Sequence, residues 1–354
     1  MTNNQVSNSN PNWKVTIGMP VFNVANYIAA SLTSALEQDM DGIEILAIDD
    51  CGTDASMEII RQMQATHPRG NSIRIIRHDT NSGVAEARNT IIREARGKYI
   101  FFLDSDDTIT SSAISTLYHT AETEGAELTY GSSIVREMDG KEYPYFVLPR
   151  ETFSGRYALV NYIYSDLRQN IPYHVWNILF LTSFLHDNEF SFPPFRTGED
   201  VLFNDAVQPK VTKAVLLPNI TYYYQKRPYS LMRFQTRDTI NVQEAHNSIN
   251  YSEMQKGLCL QLRNEPYFAG KCAKTMKNVF YRACGILKHR HQLSGGITDQ
   301  EIRDMMRHPA TLMEILNFKQ QRNANLSFWL LGKLPPNLSV WIIKNIGEKK
   351  GYIS

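Results

Sequence analysis

Three carboxylates fall within four residues at Asp104-Ser105-Asp106-Asp107, directly after the apolar run Tyr99-Ile100-Phe101-Phe102-Leu103. An unbroken apolar run of this length reads as a strand buried on both faces of a sheet. The acids cannot follow it into a core, so they lie where the strand leaves the sheet. While the chain stays extended, Asp104 and Asp106 share a face and Asp107 points away. Two hard oxygen donors at the carboxyl end of a strand suit a Mg²⁺ or Mn²⁺ carried by a diphosphate. An acidic turn capping the next helix is the other reading, and the surrounding sequence has to choose between them. Two further acid pairs stand out, Asp49-Asp50 and Glu199-Asp200, each beside a predicted element end.

The elements that must position these groups follow from periodicity. Val15–Met19, Ile43–Ile48 and Ile73–Ile76 read as buried strands, and Tyr27–Leu36, Ser56–Met63 and Val84–Ala95 as amphipathic helices between them. Repeated strand–helix alternation predicts a doubly wound sheet, in which ligands bind beyond the carboxyl ends of the strands. Pro20–Asn23, Asp49-Asp50, Asn81–Arg88 and Asp104–Asp107 all fall at that edge. Further on, Leu128–Val135 and Glu142–Val147 flank Asp139-Gly140 and predict a hairpin. An irregular aromatic stretch follows, then a helix over Val201–Val207 and two short strands, Ala214–Leu217 and Thr221–Tyr224. From about Thr239 the pattern is wholly helical and increasingly basic.

Composition narrows the class. The 354 residues carry a formal net charge of +1, which gives no global pull toward nucleic acid. Four cysteines without Cys-x-x-Cys spacing fit a reducing cytosol better than a zinc site or a disulfide framework. The polar opening MTNNQVSNSNPN reads as a disordered tail over residues 1–12 and not as a signal peptide, and no apolar run reaches membrane-spanning length. A cytoplasmic protein is expected.

Taken together and in order, Pro20-Val21-Phe22-Asn23, Ile48–Ser56, Asn81–Asn89, Phe102–Asp107 and Gly198-Glu199-Asp200 resemble glycosyltransferase family 2, inverting enzymes with the GT-A fold that use nucleotide-activated sugars. The resemblance covers about residues 14–230. It implies a GT-A catalytic domain over 13–235, with a nucleotide-binding half (13–110) and an acceptor half (111–235), followed by a helical region over 236–354. It also implies roles. Pro20, Phe22, Asn23 and Asp50 would line the nucleobase pocket, and Arg88, on the helix opened by Gly83, would face the nucleotide. Asp104 and Ser105 would contact the donor, with Asp104 on the ribose or a metal-bound water and Asp106 as a ligand of Mg²⁺ or Mn²⁺. Asp200 would be the general base, kept ionised by its helix N-terminus. Glu199, Trp176 and Asn177 would meet the acceptor, with the Trp176 ring stacked on a sugar. His174 is a further candidate contact.

Three departures bear on that carry-over. Cys51-Gly52 stands where the family usually has Gly-Ser, Ile178 replaces a common lysine after Trp176-Asn177, and no Gln-x-x-Arg-Trp follows Asp200. The last absence points to a single sugar addition per encounter, onto a glycan or a polyprenyl-diphosphate-linked saccharide, as in surface-polysaccharide assembly. Between Leu326 and Ile353, tryptophans and aliphatics alternate with lysines, which suits either a helix on an anionic membrane surface or one packed against the rest of the protein. Two other classes compete: a catalytically silent sugar-nucleotide-binding module, and a sugar-1-phosphate nucleotidyltransferase. The second requires a glycine-rich loop after the first strand, which Pro20–Asn23 does not supply.

Overall fold

Strands β1 (Val15–Val21) and β2 (Ile43–Asp49) are buried along almost their whole length, as their continuous apolar sequence requires. With β3 (Ile73–Arg77) and β4 (Tyr99–Phe102) they make a parallel array in the order β3-β2-β1-β4. Helices α1 (Ile28–Leu36), α2 (Ser56–Thr66) and α3 (Gly83–Glu94) form the crossovers. The strand order reverses between β1 and β4, so the carboxyl ends of those two strands bound the crevice where such sheets take ligands. The computed structural model describes residues 13–165, 171–195, 198–226, 239–293 and 296–353. The expected tail over 1–12 and the expected boundary near 235 lie outside the described residues.

Beyond β4 the sheet becomes mixed. A short strand, β9 (Ile178–Leu181), runs antiparallel to both β4 and β6 (Leu128–Arg136) and joins the two halves. Strand β10 (Lys213–Gln225) lies parallel to β6, and the two-residue β5 (Thr108–Ile109) closes the edge. The expected hairpin is present: β7 (Glu142–Phe146) returns antiparallel on β6, with Gly140 at φ 84° in its turn. Strand β8 (Glu151–Ser154) pairs with β10. The two strands expected over 214–224 are one strand, with register shifts between Leu216 and Tyr222 that carry it past Pro218. Helices α4 (Ala113–Glu124), α5 (Ala158–Ser165), α6 (Thr182–Asp187) and α7 (Glu199–Val207) complete this part.

The chain divides into two compact units, Met1–Leu159 with Ile171–Pro228, and Val160–Asn170 with Tyr229–Ser354. The second is helical: α8 (Val242–Gln261), α9 (Phe268–Lys288), α10 (Asp299–Met305), α11 (Leu312–Asn317), α12 (Arg322–Leu331) and α13 (Pro336–Lys349). Capping boxes start three of them, at Asn241/Glu244, Thr298/Glu301 and Thr311/Glu314. Its core gathers Met276, Val279, Ala283, Ile286, Ile302, Met305, Val340 and Ile343. A mixed, doubly wound sheet followed by a helical C-terminal region is the architecture of this protein.

Candidate active site

The acids after β4 do not continue an extended strand. Asp107 N–H donates to the Asp104 carbonyl at 3.0 Å, which closes a turn over Asp104–Asp107. The Ser105 hydroxyl donates to the Pro20 carbonyl and ties that turn to the end of β1. Tyr222 holds it from the other side. Its hydroxyl accepts from the Asp104 N–H at 3.3 Å and donates to Asp107 Oδ2 at 2.8 Å. Asp107 also accepts from the Gln225 N–H and is buried, so its carboxyl titrates well above the usual range. Burial is the first cause, and the charges of Asp106 and Asp104 are the next. Asp107 is therefore a structural pin, while Asp104 and Asp106 are only partly buried on the same turn.

Arg88 joins this turn to the acid pair at the start of α7. Its Nη2 donates to Asp104 Oδ1 at 3.0 Å, and Nη1 donates both to Glu199 Oε1 at 3.0 Å and to Asp200 Oδ1. The guanidinium lies over the Phe192 ring, and the Phe192 backbone is held to α3 by both ends of the Asn89 amide. Asn89 thereby brings the segment before α7 alongside Arg88. Arg88, expected to face the nucleotide, has its charge enclosed by three carboxylates and organises the acids. Asp200 also accepts from the Val175 amide. Burial nevertheless pushes its carboxyl up to about 7, with Glu199 and Asp104 adding repulsion and Arg88 opposing. Burial thus works against the ionised form that the helix N-terminus was expected to favour.

At the nucleotide edge, Phe22 is 47% exposed and Pro20 is partly buried beside it. Asn23, at φ 51°, accepts from the Thr53 N–H and holds the loop after β2. Asp50 is buried and anchors the start of α3. Its Oδ1 accepts from Ser82 N–H and pairs with His78 Nδ1, and its Oδ2 accepts from Gly83 N–H. Gly83 has φ 85°, a conformation that suits glycine at the opening of that helix. Cys51 adopts φ 59° and hydrogen-bonds the His78 carbonyl through Sγ.

The residues expected at the acceptor are differently employed. Trp176 is 5% exposed, with the His174 ring stacked on it and the Tyr222 ring stacked at 4.4 Å. Tyr224 and Tyr145 extend the array. The indole is packed among these rings in the core. Asn177, at φ 60°, donates through Nδ2 to the Gly131 and Ser132 carbonyls and accepts from Thr221 at Oδ1. It is a buried clip between β6, β9 and β10. His174 pairs its Nδ1 with the Trp176 carbonyl and is held down to about 3 by burial, hence neutral and structural. Tyr222, Asn89 and His78 carry the site's geometry without having been singled out by their sequence context.

Among the described residues, no group of three or more His, Cys, Asp or Glu side chains is arranged to hold an ion unaided. The Asp104–Asp106 turn nonetheless carries two hard oxygen donors, whose charges add to burial in raising Asp107. Such a donor set fits a divalent cation whose remaining ligands are phosphate oxygens.

Residues 16–179 match the model of glycosyl transferase family 2. Glycosyltransferase GlyA of Streptococcus pneumoniae is 29% identical over 229 residues, which is 63% of this chain and 32% of that protein. Poly(ribitol-phosphate) beta-glucosyltransferase of Bacillus spizizenii is 29% identical over 215 residues, 60% of this chain and 32% of the relative. The chain thus spans about a third of the length of these curated relatives. The crystal structure of S. aureus TarS 1-349 in complex with UDP-GlcNAc superposes with a TM-score of 0.64 at 17% identity, covering 96% of this chain and 92% of that one. At that identity the likeness is one of fold.

Proposed function

We propose that this chain, whose residues 16–179 match glycosyl transferase family 2 and whose sheet has the GT-A fold, is an inverting glycosyltransferase. It moves one sugar from a UDP-sugar to a hydroxyl of a surface glycan or of a saccharide on a polyprenyl diphosphate. UDP is favoured by the ligand bound to TarS, and a surface polymer by the poly(ribitol-phosphate) substrate in the name of the Bacillus spizizenii relative. The observation that supports the reading is Arg88 binding at once Asp104 and Asp200, the acids taken here as donor-side acid and base.

In this reading Asp200 takes the acceptor hydroxyl proton as that oxygen attacks the anomeric carbon opposite the leaving diphosphate. Arg88 stabilises the ionised form of Asp200 and fixes its direction, and Glu199 shares the same nitrogen and keeps Arg88 in place. Phe22 and Pro20 give the nucleobase an apolar edge, and Asp50 supports them by fixing the start of α3. Asp104 and Asp106 would hold Mg²⁺ or Mn²⁺ with the donor, and the ion would offset charge on the departing diphosphate by Lewis-acid action. The reaction takes place on the cytoplasmic side, where nucleotide sugars are made.

The test is a thermal-shift screen of nucleotide sugars with Mn²⁺, followed by transfer and donor-hydrolysis assays on any donor that stabilises the chain. Stabilisation by a UDP-sugar with release of UDP, lost in Asp200→Asn while donor binding persists, supports the reading. Binding without any UDP release would favour a silent sugar-nucleotide module.

A further inference from the structure

Helix α13 buries one side only. Ser339, Val340, Ile343 and Gly347 face the core of the helical unit, and Gly347 packs so closely on Cys284 and Ile353 that a Cβ would collide there. Outside that stripe Leu338 is 41%, Trp341 62% and Ile346 37% exposed. A helix anchored by one stripe has no structural need for a tryptophan and two aliphatics outside it. Exposed Lys344, Lys349 and Lys350 border this face, and Glu348 is the only acid from Arg322 to Ile353, against five Lys or Arg.

We propose that the outward face of α13 is a docking surface for an anionic lipid bilayer. Apolar side chains of this size enter the headgroup boundary, tryptophan prefers that depth, and flanking lysines meet the lipid phosphates. The charge pattern selects the occupant. A second protein copy seated on this face would bring the lysines of two α13 helices together, whereas an anionic lipid surface neutralises them. The inference goes beyond the transfer reaction, and lipid binding is measured without turnover, so either can fail alone.

The experiment is co-flotation of the full chain with phosphatidylcholine vesicles containing phosphatidylglycerol, against pure phosphatidylcholine. Binding to the anionic vesicles only, weakened by high salt, is expected. Trp341→Glu with Leu338→Glu should weaken it by at least about tenfold. Converting Lys344, Lys349 and Lys350 to Gln should weaken it on the order of a hundredfold. All substituted positions are exposed, so unchanged melting curves confirm that the variants fold. Equal flotation with both vesicle types, no flotation, or flotation indifferent to Trp341→Glu overturns the proposal. So does a lipid-independent dimer that Trp341→Glu dissolves, which would identify a second copy as the occupant.

Discussion

Asp104 and Asp200, far apart in the chain, accept from the two terminal nitrogens of one guanidinium, that of Arg88. This places the turn after β4 and the start of α7 in a single electrostatic unit, in which Arg88, Glu199 and Asp104 all act on the Asp200 carboxyl. The protein's pH response should be read from that unit.

Burial sets the Asp200 carboxyl near 7. A general base works only when ionised, so turnover should fall about tenfold for each pH unit below that value, whereas an ordinary aspartate would remain active down to about pH 4. Rate profiles for sugar transfer or donor hydrolysis from about pH 5 to pH 9 check this; a flat acid limb would remove Asp200 from the role of base. Stability has the matching sign. Folding favours the protonated form, so the contribution is intact below the unfolded value and is lost as pH rises toward 7. Asp200→Asn should flatten that part of the melting-temperature profile.

Arg88 opposes the upward shift of Asp200, so removing its charge should move the acid limb of the profile further up. Arg88→Met leaves three carboxylates together around a buried site and should cost about 3–5 kcal/mol by denaturant titration. Arg88→Lys keeps the charge but cannot fork between Asp104 and the α7 acids, so it should restore most stability and little turnover. Equal activity in the lysine variant would mean that the fork itself is unimportant.

The Tyr222 hydroxyl is the joint between Asp104 and Asp107. Tyr222→Phe deprives buried Asp107 of a donor and frees the Asp104 amide, at an expected cost of about 1–3 kcal/mol. Because the same turn carries Asp106, UDP affinity in the presence of Mn²⁺ should weaken as well. Calorimetric titration of UDP with and without the cation separates the two effects; a loss of stability with unchanged cation-dependent affinity would confine Tyr222 to the fold.

Much of this was legible in the sequence, because strands β1 to β4 are continuous apolar runs and their ends carry the polar residues. The acid turn, Gly83 and the Glu199-Asp200 pair lie at predicted element ends, and Arg88 lies on the helix that Gly83 opens. What the sequence concealed was set by long-range partners. The extended geometry assumed through Asp106 fails because Tyr222 and Gln225, from β10, fold the turn over Asp107. Strand β9 is only four residues long, and its place between β4 and β6 depends on Asn177 adopting φ 60° and clipping β6 to β10. Trp176-Asn177 had the residue types of a sugar platform, and only its neighbours show how deeply the pair is packed.

Cys51 occupies a position where the left-handed backbone suits glycine. A side chain there costs about 1–2 kcal/mol, partly offset by the bond from Sγ to the His78 carbonyl. Cys51→Gly should therefore hold or raise the melting temperature, whereas β-branched Cys51→Val should lower stability by about 1–3 kcal/mol. Thermal melts of the two variants decide it, and a glycine variant as unstable as the valine one would mean that the thiol contact outweighs the backbone strain.

Trp176 offers the sharpest contrast between packing and recognition. Its ring is stacked with His174 and Tyr222 and is 5% exposed, so truncating it opens space inside the core. Trp176→Phe should lower stability by about 1–3 kcal/mol, through lost contacts with Tyr222 and Tyr224. If the ring serves packing alone, the acceptor KM of the folded fraction should be unchanged. Measuring donor and acceptor KM at a temperature well below the variant's melting point distinguishes the cases. A rise confined to the acceptor KM would show that the stack opens during the reaction and that the indole meets the sugar after all.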